Sequence, residues 1–257
     1  LNRARGMGLS AIVFERGDGV GGTWYWNRYP GARCDVESLE YSYQFDEVLQ
    51  QEWQWSERYA TQPELLRYAN HVADRFGLRG QLRFGTTVLA ADYDESADRW
   101  TVTTDRGDRV RARFLVMATG CLSSTNLPDF PGRDSFAGPT YHTGQWPHEP
   151  VDFTGKRVGI IGTGSSAIQS IPIIAAQARS LTVFQRTANY TVPAYNGPID
   201  PDYEAAIKAD YAGFRARNSQ MMPAYGSSYP RRDESALSVT DAEREQIFEE
   251  RWRHGGL

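Results

Sequence analysis

The run GTGSSA (162–167) has the residue types and spacing of a phosphate-binding turn. It follows the apolar run RVGII and precedes apolar residues at helical spacing, so the pattern predicts a strand, a turn and a helix in that order. The first glycine permits a tight turn, the second lets backbone approach a pyrophosphate, and Ala167 allows close helix–strand packing. A tight turn in an unrelated α/β protein is the weaker alternative, because strand and helix both stand in the required places.

The end of the next predicted strand indicates which dinucleotide binds. An NAD site usually carries an acidic residue about 20 residues after the glycines, on the ribose hydroxyl. Here the predicted strand LTVFQRT (181–187) ends in Arg186 and Thr187. A guanidinium suits the 2′-phosphate of NADP, so we predict NADPH rather than NADH. The alternative is a solvated arginine at a strand end.

A second nucleotide site is indicated near the N-terminus. The run LSAIVFE (9–15) predicts a buried strand that ends in Glu15, an acid suited to a ribose hydroxyl. The following stretch GVGGTWYWNRYPGARCD combines a glycine pair with three consecutive aromatic residues. Flat side chains beside permissive backbone suit a planar ring system, although a structural aromatic cluster would have the same composition.

The most specific motif lies in the linker between these two patterns. FAGPTYHTGQWP (136–147) matches F-x-G-x-x-x-H-x-x-x-W-P. Glu15, GGTW (21–24), ATG (118–120) and GTGSSA together resemble flavoproteins that bind two dinucleotides. Among these, the linker resembles the fingerprint of type I Baeyer–Villiger monooxygenases, a group of class B flavoprotein monooxygenases. The resemblance covers nearly the whole chain and is strongest to phenylacetone and steroid monooxygenases.

The resemblance implies an oxidoreductase that uses FAD, NADPH and O2 to insert one oxygen atom into a C–C bond of a ketone, giving an ester or lactone. It implies two catalytic positions: Asp35, which would orient an active-site arginine, and His142, which would couple NADPH oxidation to oxygenation. The implied cofactor-binding positions are Glu15, Gly22, Thr23, Trp24, Tyr25, Trp26, Arg33, Cys34, Asp35, Tyr41, Val88, Gly162, Thr163, Gly164, Ser165, Ser166, Gln169, Arg186 and Thr187.

Two family features would lie outside the sequence. We expect the family's first G-x-G-x-x-G to precede Leu1 and its active-site arginine to follow residue 257, so the chain is predicted to be an internal fragment without activity of its own. One position also departs from the family: Cys121 follows ATG where close relatives carry glutamine.

The elements that must position these residues predict an α/β fold. It has two Rossmann-like dinucleotide-binding domains, for FAD and NADP, with a helical insertion, truncated at both ends. We predict a partial FAD-binding domain over 1–125 that lacks its first βα turn. The linker and the NADP-binding domain follow over 126–200, and the start of the helical insertion over 201–257.

Hydrophobic periodicity predicts the main elements within these domains. A helix is expected between Thr61 and Gly77, and an antiparallel run of strands over 86–94, 99–105 and 108–120. Within the last strand, RFLVMA is continuous enough to be central and buried. Thr240 and Glu243 have the spacing of a capping box at the start of a late helix.

Composition excludes several other classes. The net charge of -4 and pI of about 5.7 provide no basic surface for nucleic acid or an anionic membrane. No apolar run has the roughly 18 residues of a membrane span, and the first residues, LNRARGMGLS, lack the apolar region of a signal peptide, so we predict a cytoplasmic location. The two separated cysteines predict neither a disulfide framework nor a metal site.

Two alternative functions stay open. One is a class B flavin monooxygenase that oxidises nitrogen or sulfur; such enzymes usually lack the W-P ending that Trp146 and Pro147 supply here. The other is a non-catalytic nucleotide-binding module.

Overall fold

A computed structural model describes residues 1–221 and 234–255. The helices in this part are α1 (Asn2–Gly6), α2 (Thr23–Trp26), α3 (Ser38–Tyr41), α4 (Glu47–Glu52), α5 (Gln62–Arg75), α6 (Ser165–Ala175), α7 (Pro201–Ala209), α8 (Tyr211–Asn218) and α9 (Asp241–His254). The strands are β1 (Val13–Phe14), β2 (Leu82–Arg83), β3 (Val88–Asp94), β4 (Arg99–Thr104), β5 (Arg109–Ala112), β6 (Arg157–Ile161) and β7 (Ser180–Phe184).

The chain folds into two compact units. The first contains residues 1–30 and 62–152, and the second contains residues 31–61 together with the chain from Phe153 onward. Residues 31–61, which belong to the predicted FAD-binding domain, therefore pack with the GTGSSA motif in the second unit. The domain boundaries themselves stay a prediction.

The three-stranded sheet of the first unit confirms the predicted antiparallel run. Its order is β3-β4-β5, with Tyr93 opposite Trp100 and Val102 opposite Val110. The turn from β3 to β4 is closed by Asp94, whose carboxylate accepts hydrogen bonds from the Ser96 and Ala97 amides at 3.0 and 3.1 Å. Short polar side chains close turns in this way because they bond backbone two or three residues ahead.

Helix α5 supplies the core of the first unit and confirms the helix predicted after Thr61. Its buried positions include Leu65, Tyr68 and Val72, a helical spacing that forms one apolar face. Leu66 on α5 lies so close to Gly21 that a Cβ there would stand 2.6 Å from its Cδ1 atom. The glycine therefore permits α2 and its preceding turn to approach the helix.

Two strand predictions were wrong in extent. β1 contains only Val13 and Phe14, paired in parallel with β2, rather than all of 9–15. β5 ends at Ala112, and RFLVMA is neither a strand nor buried: Phe114 is 63% exposed and Val116 84%. A central parallel strand needs a hydrogen-bonded partner on each edge. None pairs with 113–118 in the described part of the chain, so apolar composition alone does not make this segment a strand.

The second unit contains the predicted strand–turn–helix. β6 and β7 pair in parallel, with Val158 opposite Leu181, and α6 follows β6 through the glycine turn. The predicted capping box at α9 is confirmed, since the Thr240 hydroxyl accepts from the Glu243 amide and the Glu243 carboxylate accepts from the Thr240 amide. Within the described residues, no helix has the length and apolar character needed to span a bilayer.

Residues 31–61 are joined to α7 and α8 by charged side chains that bond main-chain oxygens. The Lys208 ammonium donates to the carbonyls of Gln51 and Trp53 at 3.1 and 2.9 Å. The Arg215 guanidinium donates to the Ser42 carbonyl at 2.7 Å. Charge-assisted bonds of this kind are stronger than neutral ones and fix an otherwise irregular segment.

The packing of residues 31–61 makes a testable prediction about the two free cysteines. Cys34 is only 7% exposed, and burial raises the pKa of its thiol to about 11, whereas Cys121 is exposed. Because the thiolate is the reactive form, we expect iodoacetamide at pH 8 to modify Cys121 rapidly and Cys34 at least about a hundredfold more slowly. Peptide mass spectrometry measures both rates, and in 6 M guanidinium the two should become similar. Equal rates in the native protein would contradict this packing.

Candidate functional site

The GTGSSA turn presents open backbone at the start of α6. Gly162 has φ +102°, in the region that favours glycine, and its amide donates to the Phe184 carbonyl at 2.9 Å. No heavy atom lies within 4 Å of where a Cβ would stand on Gly162 or on Gly164. These two glycines therefore face open space rather than packed protein.

The first turn of α6 faces the same space. Gly164 is the residue before the helix and has no side chain to cap the first amides of Ser165 and Ser166. Free amides at a helix N-terminus, together with the helix dipole, favour a phosphate. The geometry fits a dinucleotide pyrophosphate.

Two amide side chains that sequence reasoning missed hold this turn. Gln185 and Asn189 donate to the Thr163 hydroxyl at 2.9 and 3.0 Å, and Asn189 also donates to the Thr163 carbonyl. Gln185 directly precedes Arg186, so its position at the end of the predicted strand could have indicated a contact with the glycine turn. Nothing in the spacing of Asn189 identifies it.

Arg186 and Thr187 follow the carboxyl end of β7. Because Ile161 and Phe184 are register partners in parallel strands, the chain after β7 leaves the sheet at the same edge as the Gly162 turn. Both residues are exposed. In the part of the chain that the structure describes, no carboxylate forms an ion pair with Arg186.

Gln169, one turn into α6, contacts the segment that contains Arg33, Cys34 and Asp35. Its Oε1 accepts from the Arg33 amide at 3.2 Å, and its Nε2 donates to the Arg33 carbonyl at 3.2 Å and to Asp35 Oδ1 at 2.8 Å. The structure thus brings together three of the predicted site residues of the second unit. They are far apart in sequence, and no motif spacing indicates this contact.

The Arg33 side chain is also held. Its Nη1 lies 3.1 Å from Glu57 Oε2, which in turn accepts from Asn196 Nδ2 at 2.5 Å. The Asn196 side-chain oxygen Oδ1 accepts from the Tyr59 amide at 2.9 Å. Glu57 and Asn196 were missed in the sequence, because their only signal is their spatial proximity to Arg33.

Cys34 and Tyr41 lie in the same unit with different exposure. The Cys34 sulfur accepts from the Val36 amide at 3.4 Å and is buried, so this side chain is directed away from solvent. The Tyr41 side chain, at the end of α3, is exposed. A cofactor can therefore reach Tyr41 by its ring but Cys34 only through its main chain.

In the first unit, Glu15 and Val88 are placed near each other. Glu15 follows β1 and accepts from the Gly17 amide at 2.7 Å through one carboxylate oxygen. Its carbonyl accepts from the Thr86 amide at 3.0 Å, which brings the start of β3, Val88, towards the same strand end. Val88 is exposed, so a flat apolar ring could contact it beside the Glu15 carboxylate.

The aromatic run of α2 divides into one buried and two half-buried side chains. Tyr25 is buried and its hydroxyl donates to Asp18, and its predicted contact with the cofactor stays a prediction. Trp24 and Trp26 are half-buried, and the Arg16 guanidinium lies 4.8 Å from the Trp26 ring centroid. Gly22, with φ +51°, and Thr23 precede them, and a Cβ on Gly22 would meet no atom within 4 Å.

The residues of the linker motif have local structural roles. His142 Nδ1 accepts from the Gly144 amide at 3.1 Å and so begins the short helical turn Thr143–Gln145. Gly138 faces the Phe136 ring, because a Cβ on it would stand 2.7 Å from Phe136 Cε1. His142 is half-buried.

His148, one residue after the motif, contacts the aromatic run of α2. Its ring lies 5.0 Å from that of Tyr25 and 5.9 Å from that of Trp26, centroid to centroid. The contact with Tyr25 is edge-to-face, an arrangement that is favourable for aromatic rings, and the contact with Trp26 is tilted. No group of three or more His, Cys, Asp or Glu residues that could hold a metal ion occurs among the residues described.

Comparison with known proteins now identifies the family. The family described as pyridine nucleotide-disulphide oxidoreductase matches residues 7–228. A Baeyer–Villiger monooxygenase of Pseudooceanicola batsensis is 46% identical over 250 residues, covering 97% of this chain and 45% of that protein. The structure of an oxidized steroid monooxygenase bound to NADP is 57% identical, with a TM-score of 0.87, covering 99% of this chain and 48% of that one.

The name of a third relative indicates a different oxidation. The phenazine N-monooxygenase PhzNO1 of Lysobacter antibioticus is 43% identical over 255 residues, covering 97% of this chain and 46% of that protein. The chain thus spans about half the length of the curated relatives it matches.

The predicted α/β dinucleotide-binding fold is confirmed. The chain belongs to the pyridine nucleotide-disulphide oxidoreductase family, and its predicted resemblance to Baeyer–Villiger monooxygenases is confirmed.

Proposed function

We propose that the chain carries nucleotide-binding parts of an FAD- and NADPH-dependent monooxygenase that inserts one oxygen atom of O2 into a C–C bond of a ketone, giving an ester or lactone. The observation that carries the proposal is the open Gly162–Gly164 turn before α6, with Arg186 at the same sheet edge. The linker motif and the named relatives support the Baeyer–Villiger reaction type.

NADPH is assigned to the second unit. Its pyrophosphate would lie on the amides of 162–166, with the turn preorganised by Gln185 and Asn189. The 2′-phosphate would lie at Arg186, whose planar guanidinium can bond two phosphate oxygens at once, and at the Thr187 hydroxyl.

FAD is assigned by its adenosine end to the first unit. Glu15 has one carboxylate oxygen bonded to Gly17 and the other available for ribose hydroxyls, and Val88 offers apolar surface to the adenine. Gly22, Thr23, Trp24 and Trp26 are proposed as further flavoprotein contacts. When bound, FAD supplies the redox chemistry, in which it accepts a hydride from NADPH and reacts with O2.

The two proposed catalytic positions, Asp35 and His142, are proposed to position other parts of the protein rather than to take part in bond making. Asp35 keeps a carboxylate at a fixed place because Gln169 donates to it at 2.8 Å. His142 begins the turn of the linker through Nδ1, which supports a role in holding that linker during the catalytic cycle. We also propose a cytoplasmic location, which the two free thiols support.

Replacing Arg186 tests the choice of dinucleotide. We expect Arg186→Ala to weaken NADP+ binding by about 10- to 100-fold, because one charge-assisted contact to a phosphate is lost, and to leave NAD+ binding nearly unchanged. Isothermal titration calorimetry measures both affinities. Arg179→Ala is the matched control, since this exposed arginine precedes the opposite end of β7. An equal loss of NADP+ affinity in both variants would refute the assignment.

Replacing Gly164 tests the phosphate contact independently of folding. Gly164 has φ -72°, which alanine adopts without strain, and a Cβ there would enter open space. We expect Gly164→Ala to change the free energy of unfolding by less than about 0.5 kcal/mol and to weaken NADP+ binding at least about tenfold, because the methyl group would block the pyrophosphate. Urea denaturation and calorimetry provide the two measurements. Unchanged affinity would place the phosphates elsewhere.

A second candidate reaction, oxidation of a ring nitrogen, is favoured by the phenazine N-monooxygenase relative. The product of the complete reading frame, loaded with FAD, is incubated with NADPH, ¹⁸O2 and either cyclohexanone or phenazine. We expect one ¹⁸O atom in a lactone and no phenazine N-oxide, as shown by mass spectrometry. Exclusive formation of the N-oxide would favour the second candidate and refute the first.

A further inference from the structure

The contact between α6 and residues 31–35 is closer than ordinary packing. Gly31 has φ +77°, and a Cβ there would overlap the carbonyl oxygen of Gln169 and stand 3.1 Å from Ile173 Cγ1. Only glycine therefore lets the main chain lie against this helix. Two residues later, the Gln169 side chain bonds both main-chain groups of Arg33.

The hydrogen bonds of the Gln169 side chain use both of its N–H donors. A glutamine amide has two N–H donors and one carbonyl acceptor. One donor bonds the Arg33 carbonyl and the other Asp35, while the oxygen accepts from the Arg33 amide. Gln169 therefore has no N–H left for a phosphate, although it lies beside the phosphate-binding turn. Its geometry suits a residue that acts through Arg33 and Asp35.

The same segment is fixed on its other side. The Cys34 amide donates to the Ala60 carbonyl at 3.0 Å, and Arg33 pairs with Glu57 at 3.1 Å. Removal of Gln169 would thus release one side of the segment without detaching it from the unit.

Helix α6 connects this contact rigidly to the glycine turn. Gln169 lies five residues after Gly164, and the Ile168 amide donates to the Gly164 carbonyl at 3.0 Å. A ligand that orders the first turn of α6 therefore orders the backbone from which Gln169 extends. By linkage, a contact strengthened by a bound ligand must in turn strengthen the binding of that ligand.

We infer that Gln169 is a positioning residue that couples occupation of the Gly162–Gly164 turn to the placement of Asp35. The inference rests on the proposed NADPH site. In the free protein, the segment 31–35 opens and closes against α6; NADP+ at the turn shifts this equilibrium towards the closed form, in which Asp35 is held.

Cys34 provides a built-in reporter of this equilibrium. It lies between Arg33 and Asp35, is buried, and reacts with a thiol reagent only when the segment opens. In a Cys121→Ser background, Cys34 is the sole thiol. Its rate of modification by 4,4′-dithiodipyridine then measures how often residues 31–35 leave α6.

The experiment compares Gln169→Leu with the matched control Gln177→Leu, both in the Cys121→Ser background. Leucine keeps the volume of glutamine and its helix propensity while removing the polar contacts. Gln177 lies just beyond the other end of α6, where its oxygen accepts from the Phe153 amide at 3.4 Å. Rates are measured without nucleotide and with saturating NADP+, and NADP+ affinity is measured by calorimetry.

We expect Gln169→Leu to speed modification of Cys34 at least about tenfold without nucleotide, because three hydrogen bonds are lost. We expect NADP+ to slow the reaction at least about fivefold in the parent and in Gln177→Leu, but less than twofold in Gln169→Leu. A residue with only a structural role would alter the first rate and leave the nucleotide effect intact.

Three outcomes would overturn the inference: unchanged modification in Gln169→Leu, equal acceleration in Gln177→Leu, or NADP+ protection that survives in Gln169→Leu. Failure of the proposed function has a different signature, since NADP+ would then not bind the parent protein at all. In that case, faster modification in Gln169→Leu alone would keep the anchoring role and remove the coupling to NADP+.

Discussion

The close approach of Gly31 to the carbonyl of Gln169 is the constraint on which the second unit depends. It lets an irregular segment lie along a helix that begins at a phosphate-binding turn. Because the segment has no regular strand or helix at Arg33, its main-chain groups need partners from elsewhere. The Gln169 amide bonds both of them, as a neighbouring β-strand would.

Leu39, Leu49 and Trp55 bury apolar surface within residues 31–61, and polar contacts join this segment to α7. Tyr203 of α7 donates to Glu37 at 2.8 Å, and the Arg58 guanidinium bonds the same carboxylate. Burial, together with the neighbouring Glu37 charge, raises the pKa of Tyr203, so this phenol stays a donor at physiological pH. Removing one partner of such a network would leave another partly buried group unpaired, which is more costly than the loss of one contact.

The first unit places its aromatic residues by a different means. Tyr25 is buried, and its hydroxyl is bonded to Asp18. With Tyr25 fixed, its neighbours in α2 are directed to other faces of the short helix. His148 then packs on Tyr25 and Trp26, which joins the end of the linker motif to the predicted flavin-contacting residues.

Local motifs allowed the strand–turn–helix at GTGSSA, the α5 helix, the antiparallel strands and the family itself to be predicted from the sequence, because each depends on residues close together in the chain. The conformation of RFLVMA (113–118) could not be predicted in this way. A strand needs hydrogen-bonded partners, and the composition of a segment does not show whether the fold supplies them.

The roles of the predicted site residues stay predictions. Some of their positions followed from local sequence, and others depended on the tertiary structure. The sequence by itself determined that Gly162, Gly164 and Arg186 stand at the ends of neighbouring parallel strands. Only the tertiary structure decided that Gln169 faces Arg33 and Asp35, which lie 136 and 134 residues away. The reason is physical: turn chemistry is encoded locally, whereas the hydrogen bonds of an irregular segment are satisfied by whichever distant side chains the fold brings to it.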